Sequence, residues 1–163
     1  MRFVFALLCA LALPACGLQP IYAGSSGAGA VADLSAVEVA PIEGRTGWLV
    51  STALEDRVSL RRNGAEPRYR LDVQLDESLQ SLGLLSDETV TRERRVLRAR
   101  YQLVDLSSGA ILLDATAGSD SGIDVVSSDY ATIAAERAAA ERLAQVVADQ
   151  IVTRVSLALR RRN

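Results

Sequence analysis

Residues 97–117 read LRARYQLVDLSSGAILLDATA, and this stretch decides the fold class. Leu97, Ala99, Tyr101 and Leu103 alternate with Arg98, Arg100 and Gln102, the two-residue period of a strand with one apolar face. Ser107-Ser108-Gly109 is a turn. Beyond it Ile111, Leu113, Ala115 and Ala117 alternate with Leu112, Asp114 and Thr116. Two such strands joined by a short turn make an antiparallel hairpin, whose apolar face must lie on something.

Working outward, Tyr69, Leu71, Val73 and Leu75 alternate with Arg70, Asp72, Gln74 and Asp76, which predicts another strand. Leu34 to Ile42 alternates weakly, with Val37 and Val39 on one face. Between them Gly44-Arg45-Thr46-Gly47 forms a turn with Thr46 as a candidate helix cap, and Val50, Leu54 and Val58 mark a helix from Trp48 to Arg62. Asn63-Gly64-Ala65-Glu66-Pro67 stops it. Gly118 to Ser128 reads as a loop. Ser128 or Asp129 then caps a helix from Tyr130 to about Arg160, with the stripe Ile133, Ala140, Ala144, Val147, Ile151, Val155 and Ala158. Trp48 and Tyr130, near the two helix starts, read as core anchors. The order βαβββα predicts an α+β fold: two helices packed on one face of a four-stranded mixed sheet.

The chain begins MRFVFALLCALALPACGLQPIY. Arg2 followed by the apolar run Phe3 to Leu13 is too short for a finished membrane span and reads as an export signal. Cys16, directly after a small residue at the end of that run, has the pattern of a bacterial lipobox. An ordinary secretory signal cleaved near Ala15 or Ala23 is the alternative. Cys9 and Cys16 are the only cysteines, and Cys9 lies within the signal, so a mature chain keeps one thiol with no intramolecular partner. Acylation of Cys16 gives that thiol a purpose and ties the chain to a membrane. The expected organisation is a lipoprotein signal at 1–15, an acylated N-terminus and small-residue tether at 16–32, and one domain at 33–163.

Composition narrows the chemistry. The chain is 49% hydrophobic and 23% charged, as a folded domain requires, and its net charge of -2 argues against a nucleic-acid partner. All 18 basic residues are arginine, and there is no histidine. Histidine-based nucleophile pairs and imidazole metal sites are therefore excluded, as are Schiff-base and P-loop lysines. Asp and Glu stand mostly beside arginines, which leaves no evident catalytic acid pair. No catalytic residue, metal or cofactor is expected.

The chemistry that remains lies on Thr89 to Val104, TVTRERRVLRARYQLV. Arg92, Arg94, Arg98 and Arg100 fall on even positions and so share one strand face, a linear stripe of guanidinium groups suited to bidentate phosphate contacts. Two readings stand: the arginines bind a ligand, or they pair across strands with Asp72, Asp76 or Asp114. Arg92, Arg94 and Arg95, closest to the Ser86-Asp87-Glu88 loop, are the candidate ligand contacts. Arg160-Arg161-Arg162, at the end of the long helix, complements its dipole.

Several local patterns together resemble one family. Cys16-Gly17-Leu18-Gln19-Pro20-Ile21-Tyr22 is followed by Val39-Ala40-Pro41-Ile42-Glu43-Gly44-Arg45-Thr46-Gly47 and a helix carrying Leu54 and Arg57. Then come Tyr69-Arg70-Leu71-Asp72-Val73, Thr91-Arg92, Tyr101-Gln102-Leu103, Ser127-Ser128-Asp129-Tyr130-Ala131 and Ala148-Asp149-Gln150-Ile151. In order and spacing the chain resembles the lipopolysaccharide-assembly lipoprotein family LptE, in its alphaproteobacterial form. Leu18 stands where the family start usually has an aromatic residue. The resemblance implies a lipoprotein anchored by Cys16 in the outer membrane and facing the periplasm. It implies a plug inside the large β-barrel LptD that assists barrel assembly and lipopolysaccharide insertion. It also implies lipopolysaccharide binding by basic residues near a strand end, for which Arg92, Arg94 and Arg95 are the candidates. Two other readings are weighed against it: an auxiliary lipoprotein of an ABC-type phospholipid transport system, and a carboxylate-based hydrolase of envelope glycans.

Overall fold

The computed structural model of the chain describes residues 34–59, 66–84, 90–126 and 128–162. The strands are β1 (Val37–Val39), β2 (Tyr69–Leu84), β3 (Val90–Asp105) and β4 (Ile111–Asp124); the helices are α1 (Gly44–Ser59), between β1 and β2, and α2 (Asp129–Arg160), after β4. The sheet order is β1-β2-β3-β4, with β1 parallel to β2 and the other pairs antiparallel. This is the expected α+β architecture of two helices and a mixed four-stranded sheet. Cys16, the signal and the tether lie outside the described residues.

Even and odd positions sort onto opposite faces of the sheet. Leu97, Ala99, Tyr101 and Leu103 of β3 are buried, as are Tyr69 and Leu71 of β2 and Ala117 and Ile123 of β4. Against them pack Val50, Ala53, Leu54 and Val58 of α1 and Leu143, Ala144, Val147, Ala148, Ile151, Val155 and Leu159 of α2. Removal of this apolar surface from water is the main favourable term, about 25 cal/mol per Å². Arg57 ties the helices together: its Nε donates to Asp149 Oδ1 at 2.6 Å, and another guanidinium nitrogen donates to Gln145 Oε1 at 2.9 Å. Asp149 and Gln145 are one turn apart on α2, so a single planar fork meets both.

Several boundaries differ from the sequence expectation. β1 is three residues rather than Leu34 to Ile42, and α1 starts at Gly44, so Thr46 lies inside it and donates to Glu77 Oε2 at 2.8 Å instead of capping. Ser128 occupies the cap position of α2, but its side chain makes no capping bond. Half of the expected Gly118-to-Ser128 loop is strand, because β4 stays paired with β3 as far as Asp124 opposite Arg92. Ladder pairing there overrides a composition rich in glycine and serine. Trp48 and Tyr130 are not core anchors: they are 64% and 83% exposed. Trp48 is two residues, about 200° of helix rotation, from the buried Val50. Tyr130 precedes Ala139, the first buried residue of α2, by more than two turns. For the same reason Ile133 is exposed, and at the far end Leu159 rather than Ala158 completes the buried stripe.

At the β3–β4 turn, Asp105 is the one buried charged residue among those described. Its Oδ1 accepts from the Ser107 backbone N–H at 3.0 Å and from the Ser107 hydroxyl, while Arg162 approaches Oδ2 at 3.3 Å. The Ser107 bonds, helped by Arg162, hold this carboxyl down at about 2. A depressed pKa contributes stability that is complete above the unfolded value near 4 and is lost as the pH falls toward 2. The melting temperature is therefore expected to fall between pH 4 and pH 2, and Asp105→Asn to flatten part of that fall. An acid limb equally steep in Asp105→Asn would show that other carboxylates carry it.

Candidate functional site: the open face of the sheet

The face turned away from the helices bears the even residues of β2, β3 and β4. Here the arginine stripe is assembled, and cross-strand register decides what each guanidinium meets. Arg92 pairs with Asp124 at 3.0 Å, Arg94 with Asp120 at 2.9 Å and Arg100 with Asp114 at 3.0 Å. Gln102 also donates to Asp114 at 2.9 Å, and Arg70 pairs with Asp72 of its own strand at 2.9 Å. Their charges settle one another: Arg94 and Arg100 are raised by their aspartates, and Asp120 and Asp114 are lowered by hydrogen bonds from those arginines. All these pairs are exposed, so each contributes little stability.

Arg98 is different. It stands opposite Asp76 of β2 and Gly118 of β4, yet among the described residues it closes no ion pair or side-chain hydrogen bond. Gly118 explains its posture, since a Cβ there would lie 3.4 Å from Arg98 Cγ and 3.2 Å from the Leu97 carbonyl oxygen. Without that Cβ the arginine stem lies low over β4. The result is a shallow concavity of about 770 Å³ on the sheet, with Arg94, Arg98 and Arg100 on its floor and Gln74, Ser78 and Gln80 along one side. Guanidinium groups in a polar trough, Arg98 unpaired among the described residues and Arg94 and Arg100 in exposed pairs, suit an extended, multiply charged anion better than a small apolar ligand.

Of the three candidate contacts, Arg92 and Arg94 share this face, whereas Arg95 lies on the opposite one. Arg95 forms an ion pair with Glu77 and donates to the Glu136 carbonyl of α2 at 3.3 Å. It borders a smaller cavity of about 270 Å³ between the N-terminal parts of the two helices, beside Arg45, Leu49 and Ile133. Glu77, with Arg95 on one oxygen and Thr46 on the other, is lowered below its ordinary value although burial opposes the shift. Arg95 thus joins β2, β3 and α2.

Asp120 and Asp124 are partners that the sequence expectation does not include, because the glycines and serines around them have the composition of a loop. Their spacing with Gly122 in period two was the available signal. Among the described residues no group of His, Cys, Asp and Glu is placed to hold a metal ion, and no helix is long and apolar enough to cross a membrane.

The described residues thus form one body, a two-helix layer on one face of a mixed sheet whose other face bears arginines. Its sequence matches the family model for LptE, lipopolysaccharide assembly, over residues 34–155, and the chain belongs to that family. Solved lipoproteins share the fold. A putative lipoprotein from Caulobacter crescentus superposes with a TM-score of 0.66 at 24% identity, over 81% of this chain and 96% of its own. Rare lipoprotein B from Shewanella oneidensis gives 0.57 at 9% identity, over 74% and 95% of the two chains. Lipoprotein B from Nitrosomonas europaea gives 0.58 at 18%, over 74% and 81%. No curated protein sequence matches the chain significantly.

Proposed function

We infer that this protein is a lipid-anchored plug subunit of the lipopolysaccharide-translocating outer-membrane barrel, the LptD partner of its family. The observation that carries this reading is the family match over residues 34–155, which spans all four strands, α1 and most of α2. Acylated Cys16 anchors the chain on the periplasmic side of the outer membrane, and the tether after it lets the body enter the barrel. The role is architectural: the body supports barrel assembly, and its open face receives the phosphorylated glycolipid.

On that face Arg98 is the first guanidinium a phosphate meets, because among the described residues it has no carboxylate to give up. Arg94 and Arg92 follow by exchanging Asp120 and Asp124 for ligand phosphates, an exchange made easy by the exposure of both pairs. Arg95 holds β3 against α2 so that the stripe stays straight.

The test is co-purification. Gently solubilised outer membranes are expected to yield this protein in a stoichiometric complex with a much larger barrel. Recovery as a free monomer under conditions that preserve other barrel complexes would sink the reading. Cys16→Ala, exported with an ordinary signal, is expected to leave the membrane fraction unless the barrel alone retains it.

A further inference from the structure

The two edges of the sheet are finished very differently. Along β4, Gln150 of α2 accepts from the Gly118 N–H and donates to the Gly118 carbonyl, each at 3.2 Å, and Arg154 donates to the Thr116 carbonyl. Past those bonds β4 carries Asp120, Gly122 and Asp124, the charges and glycines that blunt an edge. Among the described residues the β2 edge has no such cover. β1 reaches only Leu71, where the Ala40 N–H donates to the Leu71 carbonyl at 3.0 Å. The same side of β2 then presents the backbone of Val73, Leu75, Glu77, Leu79 and Ser81. None of these backbone groups bonds to another strand or to a side chain among the described residues.

The side chains agree. Every residue from 76 to 82 is exposed although it sits in a strand, and Leu79 and Leu82 are 51% and 41% exposed. From Ser78 to Leu82, SLQSL, the edge has no charge, proline or glycine. A long, flat edge bearing leucines is a template for strand addition, and natural proteins leave one only where something pairs with it.

We propose that the β2 edge from Val73 to Ser81 is a strand-addition site for an extended segment of the barrel partner. This rests on the barrel reading above. The edge specifies the segment's chemistry. Its backbone supplies the ladder, alternate apolar side chains meet Leu75 and Leu79, and polar ones meet Gln74, Ser78 and Gln80. Of the two charges on this stretch, Glu77 is already held by Arg95 and Thr46, while Asp76 has no partner among the described residues, so the segment carries a basic rather than an acidic residue beside Asp76.

Leu79→Pro in the full-length chain tests this. The Leu79 N–H points away from β3, so proline removes no bond of the native sheet but takes a donor from the added strand and obstructs its approach. Affinity for the purified barrel is expected to fall by about tenfold or more, with Leu79→Ala falling much less. Barrel retention by Leu79→Pro equal to wild type overturns the pairing and leaves the barrel reading intact. Absence of the barrel from the wild-type preparation overturns both. If Leu79→Pro melts cooperatively at the wild-type temperature, its affinity decides. If it does not fold, hydrogen exchange of the wild type decides: slower exchange over residues 73–82 in the complex than in the free protein supports the site, and unchanged exchange overturns it. A free wild-type dimer with this segment already protected also overturns it, in favour of a second copy as the occupant.

Discussion

Arg94→Glu combined with Arg98→Glu is expected to weaken binding of lipopolysaccharide by about thirtyfold or more while the melting temperature changes little. Hydrogen bonds to charged groups contribute about 1.5–3 kcal/mol each, and a loss of about 2 kcal/mol is already near thirtyfold. Reversal also places new carboxylates in the trough where phosphates would sit. Stability is spared because both side chains are exposed and Arg98 has no partner to lose among the described residues. The reversed charge of Arg94→Glu, set against Asp120, costs only the small, solvent-screened like-charge penalty of an exposed cross-strand pair. Titration of purified lipopolysaccharide against both proteins at low and physiological salt checks this. Equal affinities at low salt would make the stripe a structural ladder only. The single variant Arg98→Glu is expected to account for more of the loss than Arg94→Glu, since Arg94 first has to give up Asp120.

Gly47→Val is expected to lower the melting temperature by about 4–12 °C, the largest stability effect expected of a single substitution. A Cβ at position 47 would stand 2.7 Å from the Ile42 carbonyl oxygen and 2.9 Å from its carbon. The obstacle is backbone, so it cannot swing aside as a side-chain tip would. α1 would have to shift against β1, disturbing the packing of Val50 and Leu54 behind it. Overpacking of this kind costs about 1–3 kcal/mol, and each kcal/mol corresponds to roughly 4 °C in a domain of this size. Gly47→Ala makes the sign informative. In a free helix alanine is favoured over glycine by about 1 kcal/mol, so a lower melting temperature for Gly47→Ala isolates the close approach. A higher one would show that the loop before α1 yields.

Much of the fold was legible because its signals are local. The alternation from Leu97 to Leu103 and from Leu113 to Ala117 places each residue on a face without reference to any other strand, and the periodic apolar positions from Ala140 to Val155 do the same for α2. Ile111, expected on the apolar face, is 56% exposed because a register shift sets it opposite Val104. The position of β1 was legible only in part, since three residues are too few for a period to declare itself. The loop reading of Gly118 to Ser128 failed because its residues are poor strand formers. Their pairing with β3 and the Gln150 bonds to Gly118 come from segments distant in the chain. The candidate site shows the same division. That Arg92, Arg94, Arg98 and Arg100 share a face follows from period two, and so does the separation of Arg95 from them. Which aspartate meets which arginine depends on register, and Asp76, one of the sequence candidates, meets none among the described residues.

By itself the sequence determined the element order, the buried face of each strand, the absence of lysine and histidine chemistry, and the resemblance that the family match over residues 34–155 upholds. The tertiary structure alone decided that, among the described residues, Arg98 is open while its neighbours are paired, that Trp48 and Tyr130 face solvent, and that among those residues the β2 edge is bare where the β4 edge is held by α2. The physical reason is range. Side-chain periodicity is set within a few residues, whereas register, edge coverage and exposure are set by contacts between segments that only folding brings together.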